Sequence, residues 1–178
     1  NPSSIFLPER KDVVSGSVIT SSIEGSRPIL LEIQSLVSRS GFGTPRRAVL
    51  GVDSNRVSLL IAVMEKKLGL ELTNDDVFVN VAGGVRIDEP AVDLGILSAI
   101  ASSFLDKPVT PGTVVLGEVG LTGEVRTISR IEQRGGEAAK LGFSRCLLPR
   151  GNMRHIKAAG GMEVIGVNTV SEAMESLL

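Results

Sequence analysis

The sequence predicts a single α/β domain built on a mixed sheet with an N-terminal β-hairpin. Three observations carry that prediction. Two strand-like runs lie about "EGSR" near the start, and apolar runs of strand and helix length alternate after them. The chain has 178 residues, enough for one core. No internal repeat, low-complexity tract or interior linker divides it.

In the hairpin "GSVITSSIEGSRPILLEIQSLVSR", Ile29, Leu31, Ile33 and Val37 share one face, the period-two signal of a half-buried antiparallel strand. "SGFGTPRR" is a Gly/Pro loop and "AVLGV" a short apolar run. "DSNRVSLLIAVMEKKLG" is a helix with Asp53 or Ser54 as its N-cap and Gly69 as its stop. Its middle is apolar on almost every side, so cover on more than one face is expected, by the sheet and by a neighbouring subunit. "DVFVNVAGG" reads as a strand. Pro90 then suits the first helical position, where its missing N–H costs nothing, and "AVDLGILSAIASSFL" continues as a second apolar helix.

"GTVVLGEVGLTGEVR" is a strand and a hairpin turning at "LTG", and "SRIEQRGGEAAKLGF" is a helix ended by Gly142. Ser129 and Glu132 have the spacing of a capping box. Gly135 and Gly136 inside that helix cost about 1 kcal/mol each relative to Ala, with close packing or local mobility as the expected reason. "RCLLP", a short helix from Asn152, "EVIGV" and a terminal "SEAMESLL" helix complete the alternation.

Composition narrows the chemistry. Five Phe with no Trp or Tyr speak against base stacking on aromatic platforms. Cys146 is the one cysteine, which excludes an internal disulfide framework, and within "RCLLP" it reads as a buried strand residue. His155, the one histidine, lies in polar "NMRHIKAA" and reads as a surface residue; no ligand spacing supports zinc. "GGVRIDEP" matches neither of the glycine-rich nucleotide-binding patterns. No apolar run reaches the roughly 18 residues of a membrane span, so a cytoplasmic location is expected. The opening Asn1 suggests a piece of a longer polypeptide. The net charge of −1 leaves no global basic footprint, so any nucleic-acid contact must come from a local cluster or from repetition in an oligomer.

The arginines supply such clusters. Arg46 and Arg47 follow the Gly/Pro turn, Arg56 lies in the first turn of the next helix, and Arg86 precedes "DEP". Arg126, Arg130 and Arg134 form a second group. Solvated charge interleaved with Glu is one reading. Phosphate contact is the other, because the planar guanidinium matches phosphate oxygens.

"DEPAVDLG", "GEVGLTGEVR" and "SRIEQRGGEAAKLGF" together resemble the proteolytic domain of Lon proteases. That resemblance implies a Ser-Lys dyad whose serine position falls on Ala91 and whose lysine position falls on Glu132. A methyl group cannot attack a carbonyl, and a carboxylate reverses the charge of the base. Ser98 lies two helical turns beyond Ala91, roughly 10 Å along the axis, and does not replace the missing nucleophile.

A more specific resemblance, covering essentially the whole chain, is to the bacterial RadA/Sms DNA repair family. It is carried by "NPSSIFL", "EGSRPILLEIQSLV", "FGTPRRAVLGVDSNRVSLLIAVMEKKLGL", "DVFVNVAGGVRIDEPAVDL" and "VVLGEVGLTGEVRTISRIEQR". The resemblance implies a Lon-like fold of the ribosomal protein S5 domain 2 type over residues 15–178, after a lead-in over residues 1–14 from an ATPase core. It implies a whole protein with a zinc finger and a RecA-like ATPase, so ATP, Mg and Zn are expected in those other parts and no cofactor in this chain. The implied partners are DNA, further copies in a hexameric ring that drives branch migration, and recombinase and replication-fork proteins, at the nucleoid and away from membranes. Arg46, Arg47, Arg56 and Arg86, then Arg126 and Arg130, are the candidate DNA contacts. The alternatives are a residual serine peptidase and an assembly scaffold without DNA contact.

Overall fold

A computed structural model of the chain describes residues 3, 6–8, 12–41, 43–156 and 160–178. Of the expected lead-in, residues 1, 2, 4, 5 and 9–11 lie outside the described residues, as do Phe42 and residues 157–159.

The expected hairpin forms. β1 (Ser17–Glu24) pairs antiparallel with the 13-residue β2 (Arg27–Arg39), from Ser17 opposite Gln34 to Glu24 opposite Arg27. β3 (Arg47–Leu50) leads into α1 (Ser54–Val63), whose N-cap is Asp53; the Asp53 carboxylate accepts the Asn55 N–H at 3.1 Å. The helix widens into a π turn over Met64–Leu68 and stops at Gly69, which has φ +68°. β4 (Asp75–Val81) follows, then a 3-10 turn at Pro90–Val92 with Pro90 in first position, and α2 (Asp93–Leu105). β5 (Thr113–Val115) enters the two-stranded hairpin of β6 (Glu118–Val119) and β7 (Val125–Arg126). α3 (Ile131–Lys140), β8 (Arg145–Pro149), a 3-10 turn over Arg150–His155, β9 (Glu163–Val167) and α4 (Val170–Leu177) complete the chain.

Seven strands form one mixed sheet in the order β3-β4-β2-β1-β5-β8-β9. Antiparallel pairing is confined to β4-β2-β1, and the flanking pairs are parallel. β2 is buried from both sides. Leu31 and Ile33 join the larger core under α1, α2 and α4, whereas Leu30 joins a second cluster with Val114, Leu116, Cys146 and Leu148 under Ile131 and Ala138 of α3. Full burial of each such side chain stabilises by roughly 1.5–3 kcal/mol. α2 runs inside the molecule, buried without interruption from Asp93 to Ser102, as its unbroken apolar sequence requires.

Coverage of the sheet is uneven. On one face α3 shields the N-terminal half of β2 with β1, β5 and β8, but among the described residues no helix lies over the C-terminal half of β2 and the adjoining β4 and β3 on that face. Leu36 and Leu50 remain 61% and 68% exposed there, and a groove of about 470 Å³ runs past Gln34, Phe78 and Asn80.

Within this chain α1 is covered on one face, and Leu59 on its outer face is 52% exposed. Two local expectations fail. The short helix expected from Asn152 is a 3-10 turn that begins at Arg150. No capping box forms, because α3 begins at Ile131 with Arg130 as its N-cap in the left-handed conformation, φ +56°. The Ser129 oxygens turn instead toward Arg134, whose Nε donates to the Ser129 carbonyl at 2.9 Å.

Candidate functional site

The turn from Glu89 to Asp93 links the loop after β4 to α2. Ala91 is buried, and its carbonyl accepts the Gly117 N–H at 2.9 Å, while the Leu94 N–H donates to the Gly117 carbonyl at 3.0 Å. The segment is thereby laced to the exit of β5, next to the β6–β7 hairpin. Glu132 lies exposed on α3. The two positions implied for a dyad are thus a hidden methyl group and a solvent-facing carboxylate. The Ser98 hydroxyl is buried in α2 without a hydrogen-bond partner among the described residues.

Two guanidinium–carboxylate pairs flank Ala91, each two residues away. On one side, Arg134 is wholly buried, and its Nη1 and Nη2 donate to the two Glu89 carboxylate oxygens at 2.6 and 2.9 Å. Nη1 also reaches the Ser21 carbonyl at 2.8 Å, and Glu89 accepts the Ile23 N–H at 2.9 Å. The pair therefore ties β1, the start of α2 and the start of α3 together. Burial works against the charged form of Glu89, yet the Arg134 guanidinium and the Ile23 N–H hold its carboxyl below the usual range. On the other side, Asp93 receives Arg56 in the same two-pronged way, with Nη2 at 2.6 Å, and also takes the Val119 N–H at 3.1 Å. The Asp93 carboxylate raises the Arg56 pKa.

These pairs reassign two arginines. Arg134, grouped by sequence with the displayed arginines, is an interior residue. Arg56 is a partly buried clamp on Asp93 rather than a free guanidinium. The others stand outward. Arg46 has its side chain 74% exposed, yet its Nη2 meets Asp76 at 3.1 Å and its guanidinium lies 5.4 Å from the Phe78 ring centre. Arg47 beside it donates to the Leu72 carbonyl at 2.9 Å and to the Asp75 carbonyl. Arg86 pairs with Asp88 at 3.4 Å, both well exposed. Arg126 faces Glu124 at 3.3 Å and Glu118 at 3.8 Å. Arg130 is exposed, and its side chain has no hydrogen bond or ion pair among the described residues. Arg46 and Arg47 thus stand side by side at the margin of the bare sheet face, while Arg126 ends β7 and Arg130 lies at the N-cap of α3.

Sequence reasoning missed Glu89, Asp93 and the buried role of Arg134. An acidic residue inside the apolar run "PAVDLG" was the available signal for Asp93, since a buried carboxylate demands a partner. It also missed Asn152, nearly buried, whose amide oxygen accepts the Ile128 N–H at 2.9 Å and whose Nδ2 donates to the Ile128 carbonyl at 3.0 Å. His155 is exposed, as expected. Cys146 is buried in β8, and burial pushes its thiol up to about 12. Among the described residues, no group of three or more His, Cys, Asp or Glu side chains converges, and no helix is long and apolar enough to cross a membrane.

A family model described as subunit ChlI of Mg-chelatase matches residues 35–152. The DNA repair protein RadA of Bacillus subtilis is 57% identical over 178 residues, covering all of this chain and 39% of the relative. The protein of the same name from Halalkalibacterium halodurans is 56% identical over the same length, and that from Listeria monocytogenes 49%. The chain spans 39% of the length of the curated relatives it matches.

Proposed function

The chain belongs to the ChlI-type domain family and, along its whole length, to the family of the RadA DNA repair proteins; from that premise we propose that it is a catalytically silent, Lon-like domain that assembles copies of a repair protein and holds them on DNA. The observation that carries the silent part is the pair Glu89–Arg134. Where the resemblance implies a nucleophile and a base, there is a buried methyl group, an exposed carboxylate and a structural ion pair. None of these attacks a carbonyl.

DNA contact rests on the repair relatives and on the outward arginines. One copy with net charge −1 attracts a polyanion poorly. Six copies in a hexameric ring would multiply every guanidinium by six around one axis. The geometry favours Arg46, Arg47, Arg86, Arg126 and Arg130 as the phosphate contacts and gives Arg56 a structural task. The cofactors of the whole protein, ATP with Mg and a zinc ion, would sit in parts outside this chain, where the branch-migrating motor would also lie. Recombinase and replication-fork proteins are further partners on this reading.

The test is a duplex-DNA titration at several salt concentrations with Arg46→Ala/Arg47→Ala. Weaker binding is expected, and the log–log salt slope should shrink by about 0.9 for each phosphate no longer held. Unchanged affinity and slope in a folded variant would remove these two arginines from the interface. The uncovered sheet face with Leu36 and Leu50 also favours assembly without DNA contact. A chain that forms oligomers but shows no DNA affinity at any salt would establish that reading instead.

A further inference from the structure

Arg130 holds a backbone conformation that suits it poorly. Its φ is +56°, in the left-handed region where an L side chain crowds the following carbonyl. Among the described residues one other non-glycine, Asp106, has a positive φ, and its short polar side chain tolerates that conformation at the C-cap of α2. Arg130 has no such excuse, since its side chain caps nothing. Of the six exposed or partly exposed arginines marked by the sequence, it is the one whose side chain has no hydrogen bond or ion pair among the described residues. Glycine would sit there without strain.

The neighbours of Arg130 impose the conformation. Two residues back, Ile128 is gripped by the nearly buried Asn152, whose amide oxygen accepts the Ile128 N–H at 2.9 Å and whose Nδ2 donates to the Ile128 carbonyl at 3.0 Å. One residue back, the Nε of the enclosed Arg134 donates to the Ser129 carbonyl at 2.9 Å. One residue on, Ile131 is buried in the cluster with Leu30 and Leu116. Strain of this kind persists where the surroundings over-determine it, and it gathers at functional positions.

Asn152 belongs to the turn Arg150–His155, which is itself tightly seated. A Cβ at Gly151 would lie 2.6 Å from Thr127 Cγ2, and one at Gly166 of β9 would lie 3.1 Å from Arg150 Cα. A Cβ at Gly135 of α3 would lie 2.6 Å from Cδ1 of Ile156, the residue that ends the turn. Two residues beyond Asn152 the turn displays Arg154, exposed and likewise without a hydrogen bond or ion pair among the described residues. Arg130 and Arg154 therefore each stand two residues from one shared contact, the Asn152–Ile128 pair. Glu132, the acidic residue nearest to Arg130 along the chain, is exposed and pairs with neither.

We propose that Arg130 and Arg154 form a phosphate-contact site for duplex DNA, with Asn152 as its positioning residue. The site rests on the DNA-binding reading and adds to it a new member, Arg154, and a reason for the geometry of the loop. Two guanidinium groups without an internal carboxylate partner need not break an ion pair to reach phosphate oxygens. Both project from backbone that is already fixed, so the backbone needs no ordering on contact.

Duplex-DNA titrations of the 178-residue chain at several salt concentrations test it, with thermal melts alongside. Arg130→Gly should raise the melting temperature by about 2 °C through relief of the left-handed strain. The same variant should bind DNA more weakly, with a log–log salt slope smaller by about 0.9 for each phosphate no longer held. A gain in stability with a loss in binding separates contact from structural damage. Arg154→Ala should shrink the slope similarly without moving the melting temperature. Asn152→Ala should weaken binding in the wild-type background and have no further effect once Arg130 and Arg154 are replaced. If Asn152→Ala unfolds the chain, Asn152→Asp, which keeps the acceptor for the Ile128 N–H, takes its place.

An additional loss in the doubly replaced background would overturn the positioning role. An unchanged slope in Arg130→Gly or Arg154→Ala would overturn the site, and an unchanged or lower melting temperature for Arg130→Gly would remove its premise of strain. A wild-type chain without DNA affinity at any salt would sink the DNA-binding reading and this site together. Affinity lost in Arg46→Ala/Arg47→Ala but kept in Arg130→Gly would sink this site alone.

Discussion

Arg134 and Glu89 are 45 residues apart in sequence, yet their guanidinium and carboxylate meet at 2.6 and 2.9 Å with Arg134 wholly enclosed. Removing one partner strands the other. Arg134→Ala should therefore destabilise by about 3 kcal/mol, because it empties a fully enclosed site and leaves a half-buried carboxylate without its counter-ion. A urea denaturation curve measures this, and a loss under about 1 kcal/mol would mean that the pair contributes little.

The same pair sets an acid limit. The folded-state pKa of Glu89 lies below its ordinary value of 4.5. Its contribution to stability is therefore present above pH 4.5 and is lost as pH falls through the depressed folded value. Glu89→Gln should flatten the fall in melting temperature in that acid range relative to wild type. An identical acid profile would show that other carboxylates control the transition.

Restoring the missing side chains should not restore cutting. In Ala91→Ser with Glu132→Lys, the hydroxyl would start from a position 4% exposed, whereas the amine would stand on the exposed face of α3. A lysine left in water keeps its proton and cannot serve as the base for that hydroxyl. Neither casein cleavage nor labelling by a serine-reactive probe is expected from the double variant, and either one would show that the crevice is still competent.

Adjacent glycines in α3 should behave oppositely. A Cβ at Gly135 would lie 2.6 Å from Ile156 Cδ1, while one at Gly136 meets nothing within 4 Å. Gly136→Ala is expected to stabilise by about 0.5–1 kcal/mol through helix propensity. Gly135→Ala should forfeit that gain by pushing Ile156 away. Thermal melts of the two single variants separate these outcomes, and equal shifts would reject the packing explanation.

The bare sheet face gives a test of assembly. Leu36→Gln removes an exposed apolar group without opening the core, so monomer stability should stay within about 0.5 kcal/mol. If copies associate through this face, light scattering should show a smaller species at the same concentration. An unchanged mass would place the association elsewhere.

Much of the fold was legible because short-range signals and long-range demands agreed. Asp53 caps α1, Gly69 ends the turn that follows it, Pro90 opens the entry to α2, and an all-round apolar run became an enclosed helix. The readings that failed were those in which a distant residue had the stronger claim. Ser129 and Glu132 have capping spacing, but the oxygens of Ser129 face a guanidinium that the core needs, and Arg130 adopts the left-handed turn. Arg56 and Arg134 look alike in sequence to Arg86 and Arg130. Only the carboxylates of Asp93 and Glu89, brought close by folding, distinguish a clamp from a displayed charge. The two-sided burial of β2 was likewise hidden, since Leu30 needs α3 to cover it.

Because β2 carries Leu30 into one cluster and Leu31 into the other, as β5 does with Val114 and Val115, the strand is a beam shared by the two halves of the interior. Truncating either leucine lets that beam shift, and the opposite half then loses fit even though none of its own atoms has been touched. Damage on the two sides should therefore compound rather than sum, and a substitution screened as tolerable alone can prove lethal to folding in company.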